Sequence, residues 1–131
     1  MNNIKQEYDF VINDDVPSKA NAYKIVSFNG HYSLAKGKKL KEYEKSFFLQ
    51  CPYRNVNITK FFSIDIEVFY ANNRKDLDGC FKIILDCLQQ CNVIKNDREC
   101  VEIHAKKMVD KINPRVHITI KVIDSIEAHK E

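Results

Sequence analysis

The sequence predicts an α+β fold, with a small mixed β-sheet and two main helices packed on one face. Alternating apolar and polar residues indicate several strands, and two other segments repeat apolar residues at helical spacing. Strands and helices are interspersed along the chain, which contains no repeat, no low-complexity tract and no long linker. All 131 residues, 1–131, are therefore expected to form a single domain.

Short strands are predicted in the N-terminal part of the chain. Tyr8–Ile12 forms the first of them, and residues 14–19 form a loop around Pro17. Tyr23–Phe28 and Tyr32–Leu34 flank Asn29-Gly30, a dipeptide typical of tight hairpin turns. We therefore expect a β-hairpin at this position.

A helix and a longer strand should follow the hairpin. Leu40, Tyr43, Phe47 and Cys51 recur at helical spacing and define the buried side of the helix. Its outer side should be basic, because it carries Lys36, Lys38, Lys39, Lys41 and Lys45. Phe62–Tyr70 then alternates between apolar and polar residues, which is typical of a half-buried strand.

Residues 77–91 predict a second helix with one apolar stripe. The stripe consists of Leu77, Cys80, Phe81, Ile84, Leu85, Cys87, Leu88 and Cys91. A polar edge on the other side of the helix holds Asp78, Lys82, Asp86 and Gln89. After this helix we expect strands at Val101–Met108 and Arg115–Ile123, joined around Asn113-Pro114 as antiparallel neighbours.

Composition excludes several classes of protein. No apolar run approaches the roughly 18 residues of a membrane span, and the N-terminus lacks an apolar leader, so we expect a cytoplasmic protein. The five cysteines include no Cys-x-x-Cys pair. Helical spacing explains Cys80, Cys87 and Cys91 as core residues, so a zinc site with His104 is not favoured. The net charge of +3 is too small to establish a nucleic-acid partner by itself.

Acidic residues and one lysine are concentrated at the start of the second helix. Asp76 precedes the first apolar residue and is well placed to cap the helix, and Asp78 lies one turn before Lys82. The ordinary interpretation is a cap and an ion pair on a solvated surface. If the chain brings Asp97 back beside the helix start, however, the three carboxylates offer the oxygen ligands that hard divalent cations prefer.

The same residues resemble a known family. The run Asp76-Leu77-Asp78-Gly79-x-x-Lys82 is followed by Leu85-Asp86-x-Leu88, Asn96-Asp97, Val101 and Lys107, and this pattern resembles the RusA family of Holliday-junction endonucleases. The resemblance is specific over about residues 74–120, and Pro17–Tyr23 is similar to the family's N-terminal loop. It implies a RusA-like homodimer that resolves four-way DNA junctions by paired phosphodiester hydrolysis, with Mg²⁺ or Mn²⁺.

The resemblance also implies roles for individual residues. Asp76, Asp78 and Asp97 match the catalytic, metal-binding acids, and Lys82 matches the essential lysine. Lys82 would stabilise charge in the transition state; alternatively, it only pairs with Asp78 or Asp86. Asp86 and Asn96 are candidates for orienting the metal-binding acids without binding the metal themselves. Two departures are Gly79, where many members have Asn, and Asn96, where many have Asp.

Basic residues around the acids are candidates for binding DNA phosphates. The predicted contacts are Lys19, Arg74, Lys75, Lys106 and Lys107. Two other functions remain open: a protein that binds branched DNA without cutting it, and a nuclease that acts on flaps or other branches. The abundance of Lys, Asn and Ile fits an AT-rich genome and a phage origin, which would place the protein in the host cytoplasm.

A homodimer is expected from the symmetry of the substrate. A four-way junction needs two opposed nicks, and two subunits related by a two-fold axis supply two sites. Phe61, Phe69 and Tyr70 are candidates for the dimer surface, with core packing as their ordinary interpretation.

Overall fold

The computed structural model describes residues 6–124. The first five residues, on which the expectation that the chain lacks a leader depends, lie outside this range. A four-stranded sheet contains β1 (Glu7–Ile12), β4 (Phe61–Tyr70), β5 (Cys100–Val109) and β6 (Arg115–Ile123). The hairpin is formed by β2 (Tyr23–Phe28) and β3 (His31–Lys36). The helices are a short α1 (Lys19–Ala22), α2 (Lys38–Gln50) and α3 (Phe81–Gln90). The predicted α+β class is confirmed.

The order of strands in the main sheet is β1-β6-β4-β5. β6 runs antiparallel to both β1 and β4, whereas β4 and β5 are parallel neighbours. The prediction that β5 and β6 are adjacent was therefore wrong, because β4 lies between them. A parallel pair needs a long crossover between its strands, and here α3 provides it.

One face of the sheet forms the core. Ile64, Ile66 and Val68 of β4 are at most 1% exposed and lie beside apolar residues of β6. The other face carries residues such as Asp65 and Glu67, which are only partly buried. This alternation is the one predicted for β4, and it leaves one sheet face open.

The two main helices cover the buried face. In α2, Leu40, Tyr43 and Phe47 are buried, as the helical spacing predicted. In the second helix the buried residues are Cys80, Ile83, Ile84, Cys87, Leu88 and Cys91. Ile83 was missed by the predicted stripe, while Phe81 and Leu85 are only half-buried. Within residues 6–124 no helix is long and apolar enough to cross a membrane.

The hairpin turn has the backbone that Asn-Gly favours. Asn29 has φ 50° and Gly30 has φ 79°, which are the two positive values needed for the tight turn. Three other asparagines, Asn55, Asn57 and Asn92, also have positive φ. They lie where the loop after α2 runs beside the loop after α3, bound by contacts such as Ile58 N–H to the Val93 carbonyl at 2.8 Å. This pairing fixes the C-terminal end of α3.

On the open face of the sheet, His117 lies between two carboxylates. Its Nδ1 is 3.0 Å from Glu67 Oε1, and its Nε2 is bonded to Asp9. Partial burial by itself lowers the pKa of His117, but the bonds to Asp9 and Glu67 outweigh burial and leave the pKa raised above 6.5. When protonated, the imidazole links β6 to β1 through Asp9 and to β4 through Glu67.

We predict that stability contributed by His117 depends on pH. The folded protein binds the His117 proton more tightly than the unfolded chain does, because the pKa of His117 is raised in the folded state. The resulting stabilisation of the folded state is complete below the unfolded-state pKa near 6.5, and it disappears as the pH rises through the folded-state pKa. Wild type should lose stability over this window relative to its value below pH 6.5, whereas His117→Gln should show a flatter profile. Urea unfolding between pH 5.5 and about 9 measures both. Parallel profiles would contradict the role of His117.

Candidate functional site

The end of β4 and the start of α3 position the acidic residues. Tyr70, the last residue of β4, is 1% exposed and its hydroxyl donates a hydrogen bond to the backbone carbonyl of Asp76 at 2.9 Å. The chain then forms a 3₁₀ turn at Asp78–Cys80 before α3 begins. Leu77 is the N-cap and makes no side-chain capping bond, so the predicted cap by Asp76 is not formed. The carbonyl of Asp76, rather than its carboxylate, holds this turn in place.

Asp76 and Asp78 line one open cavity of about 570 Å³. Both residues are exposed, and neither carboxylate forms a salt bridge among residues 6–124. Other lining residues are Ser18, Lys19, Ala20, Tyr70, Arg74, Lys75 and Gly79. A Cβ at Gly79 would meet nothing within 4 Å, so space does not require glycine where many RusA-like sequences carry Asn.

Asp97 lies beside the other end of α3. Its backbone N–H donates to Gln89 Oε1 at 3.0 Å, and Asn96 caps the 3₁₀ turn Asp97–Glu99 through a bond from Arg98 N–H to Asn96 Oδ1 at 3.0 Å. Asp78 and Gln89 are eleven residues apart, or roughly 16 Å at helical rise. The structure therefore brings Asp76 and Asp78 together but leaves Asp97 outside their cavity.

Lys82 lies on the polar edge of α3. Its Nζ is 3.3 Å from Asp86 Oδ2, and its side chain is 66% exposed. The hydrogen bond to Asp86 raises the pKa of Lys82 above 10.5, and Asp97 adds a smaller effect in the same direction. Lys82 therefore stays cationic at neutral pH. In this structure Asp86, not Asp78, is its ion-pair partner.

The acidic side chains fit a divalent cation in part. Within residues 6–124 no three His, Cys, Asp or Glu side chains are grouped so that they could hold a metal ion. Asp76 and Asp78 nevertheless offer two uncommitted carboxylates at one cavity, and Mg²⁺ commonly uses one or two carboxylates with several waters. The chemistry of this pair fits such an ion, and Asp97 is not part of the pair as placed here.

The five predicted DNA contacts lie in different surroundings. Lys19 and Arg74 are exposed at the rim of the acidic cavity. Lys106 is also exposed but lies on the open face of the sheet with Glu67, its neighbour in register. Lys107 is the next residue, so it faces the opposite side and is half-buried. The predicted contacts therefore lie on more than one face of the protein.

Lys75 is committed to a contact within the protein. Its Nζ lies 2.7 Å from Asp15 Oδ2 and 2.8 Å from the Val16 carbonyl, with 15% of the side chain exposed. Asp15 also accepts a bond from Ala71 N–H at 3.2 Å. Lys75 therefore clamps the N-terminal loop to the end of β4 and does not offer a free charge to DNA. The partners are 60 residues apart, and no local pattern reveals this contact.

The proposed dimer residues also differ in exposure. Tyr70 belongs to the core and is excluded from a dimer surface. Phe69 lies on the open face, where the Arg115 guanidinium stacks 3.8 Å from the centre of its ring. Phe61 is half-buried at the start of β4.

An α+β domain with paired carboxylates and cationic residues at one cavity has the make-up of a hydrolase for an anionic substrate. The chain belongs to the Endodeoxyribonuclease RusA family, whose sequence profile matches residues 16–121. It is also similar to a "Crossover junction endodeoxyribonuclease RusA" from Aquifex aeolicus (strain VF5), with 36% identity over 64 residues. That alignment covers 48% of this chain and 51% of the relative, so it spans about half the length of the curated protein.

Proposed function

We propose that this protein is a structure-selective endodeoxyribonuclease that resolves four-way DNA junctions by paired cuts. Family membership over residues 16–121 supports nuclease chemistry, and the name of the Aquifex relative supports a crossover junction as substrate. The structural observation that carries the proposal is the cavity shared by Asp76 and Asp78, with Lys19 and Arg74 at its rim. The cytoplasm, where DNA is accessible, is the proposed location.

The proposed cofactor is Mg²⁺ or Mn²⁺, held by Asp76 and Asp78 with Asp97 as the third ligand. Such an ion supplies charge neutralisation at the phosphate and a more acidic water. The support for Asp76 and Asp78 as ligands is that both line the same cavity and neither carboxylate forms a salt bridge among residues 6–124. Asp97 would have to approach them from its turn before β5, and the loop that leads to this turn is bonded to the loop after α2, for example through Lys95 N–H to the Ile58 carbonyl at 2.9 Å.

Lys82 is proposed to stabilise negative charge that develops on the phosphate during cleavage. Its exposed, cationic side chain lies one turn after Asp78 and within electrostatic reach of Asp97. Breaking its contact with Asp86 would cost little, because exposed ion pairs contribute only about 0–1 kcal/mol. The ammonium group is therefore free to turn toward a bound phosphate.

Substrate choice is tested by comparing three DNAs of matched sequence. A mobile four-way junction, a flap and a plain duplex are incubated with wild type in Mg²⁺, and the cuts are mapped on each strand. The proposal requires symmetrical nicks in the junction at a rate well above that for the other two. Preferred cutting of the flap would instead identify a flap nuclease. Binding to the junction without cutting would identify a binding protein.

We predict that Asp76→Asn, Asp78→Asn and Asp97→Asn each lower junction cleavage by about 100-fold or more, since a carboxylate ligand supports several kcal/mol of transition-state stabilisation. Junction affinity should stay the same or rise, because removing a carboxylate reduces repulsion of the phosphates. Single-turnover cleavage and anisotropy binding in Ca²⁺ measure the two effects.

A matched control for these variants is Asp124→Asn. Asp124 is exposed and follows the C-terminal end of β6, at the end of the sheet opposite the cavity. It should cut at the wild-type rate. Full activity of both Asp76→Asn and Asp97→Asn would eliminate the assigned site.

For Lys82→Ala we predict a single-turnover rate reduced by about 100-fold with nearly unchanged junction affinity, as expected for a group that acts in the transition state. Asp86→Asn is the comparison variant, because it breaks the same ion pair and keeps the lysine. If Lys82 only orients Asp86, both variants should be impaired equally. Weaker binding with an unchanged rate would make Lys82 a phosphate anchor.

We predict a homodimer in solution, because each chain carries one candidate site and resolution needs two opposed cuts. Phe61 and Phe69 remain candidates for the contact. Light scattering at micromolar concentration should give about twice the 15.4 kDa mass of the chain. A stable monomer that still makes paired nicks would contradict the dimer.

A further inference from the structure

The hairpin β2–β3 carries four large apolar side chains in water. We call residues Tyr23–Lys36 the ribbon. Its exposed side chains are Ile25 at 73%, Phe28 at 79%, Tyr32 at 78% and Leu34 at 71%. Single exposed apolar residues are ordinary, but four on one short hairpin indicate a binding surface.

The ribbon is anchored only at its base. Among the described strands, β2 pairs solely with β3, and an isolated two-stranded hairpin is marginally stable in water. The Gly37 N–H bonds to the Ala22 carbonyl at 2.7 Å, and Ala22 is fully buried. A Cβ at Gly37 would lie 3.2 Å from the Asn21 carbonyl oxygen, so the two ends of the ribbon are held closely together.

Charge identifies the kind of partner. The ribbon contains two lysines, Lys24 and Lys36, and no Asp or Glu, and Lys36 is paired with Glu44 at 2.7 Å. Lys24 forms no salt bridge among residues 6–124, so contact between the ribbons of two identical chains would bring this charge together with its own copy, which opposes association. A polyanion would be attracted instead. The ribbon therefore suits a nucleic acid better than a second copy.

The base of the ribbon lies next to the acidic cavity. Lys19 and Ala20 of α1, which leads directly into β2, line the cavity together with Asp76 and Asp78. Six residues of strand reach roughly 20 Å from this base. DNA held at the cavity is thus within reach of the ribbon.

We propose that the ribbon enters the branch point of bound DNA and that Phe28 and Tyr32 stack on bases left unpaired there. In the strand register Tyr32 pairs with Ser27 and Phe28 pairs with His31, so the two rings lie on opposite faces of the ribbon. Each ring can therefore meet a base from a different strand. Aromatic stacking is indifferent to base identity, which fits recognition by shape. The proposal rests on the DNA substrate proposed above.

Equilibrium binding tests the ribbon on three DNAs in Ca²⁺: a four-way junction, a short oligothymidine and a duplex. The double variant Phe28→Ala/Tyr32→Ala should bind the junction and the oligothymidine about 10-fold more weakly or worse, with little change for the duplex. Phe28→Tyr/Tyr32→Phe, which keeps both rings, should bind like wild type. Lys24→Ala should weaken binding to all three and reduce the salt dependence.

Three results would overturn the proposal. The double variant could bind all three DNAs like wild type, or lose affinity for the duplex as strongly as for the others. It could also dissociate from dimer to monomer in light scattering with unchanged DNA affinities, which would assign the ribbon to a contact between copies. Thermal melting of the variant confirms its fold. If wild type neither prefers nor cuts the junction, the proposed function fails, but the oligothymidine result still decides the role of the ribbon.

Discussion

The parallel pairing of β4 with β5 is the constraint on which the candidate site depends. Antiparallel neighbours can be joined by a tight turn, but parallel neighbours require the chain to return to the starting end of the sheet. Here the return includes the Asp78–Cys80 turn and α3, and it begins where β4 ends. Buried Tyr70 then ties the strand end to Asp76 through its hydroxyl. The acids are exposed at this end because the crossover must begin there.

The candidate site brings acidic and basic residues of two chain segments together. Asp76 and Asp78 come from the crossover with Arg74 and Lys75, while the segment before the ribbon supplies Lys19. Phosphodiester cleavage needs both kinds of charge, since a site made of carboxylates alone would repel DNA. The Asp15–Lys75 contact joins the two regions by clamping the N-terminal loop against the end of β4. A lysine that looked like a DNA contact thus holds the site together.

Local patterns in the sequence predicted most elements but not their neighbours. Alternation identified β4, helical spacing identified α2, and Asn29-Gly30 identified the hairpin, because each signal lies within one element. The order of strands depends on contacts across the chain, so the adjacency of β5 and β6 was predicted wrongly. The motif groups Asp97 with Asp76 and Asp78; the structure places Asp97 in the turn before β5, and its role as a third ligand stays a prediction. The sequence also did not predict that Lys75 contacts Asp15, because the two residues are 60 positions apart.

Iron-directed backbone cleavage tests the proposed metal position most directly. Fe²⁺ replaces Mg²⁺ in the protein, ascorbate and peroxide generate hydroxyl radicals at the bound ion, and mass spectrometry maps the broken peptide bonds. If Asp76 and Asp78 hold the metal, the cuts fall within about residues 74–80, Mg²⁺ suppresses them by competition, and Asp78→Asn removes them. Additional cuts beside Asp97 would mean that its turn closes on the ion. Cuts confined to other parts of the chain, or an unchanged pattern in Asp78→Asn, would contradict the account.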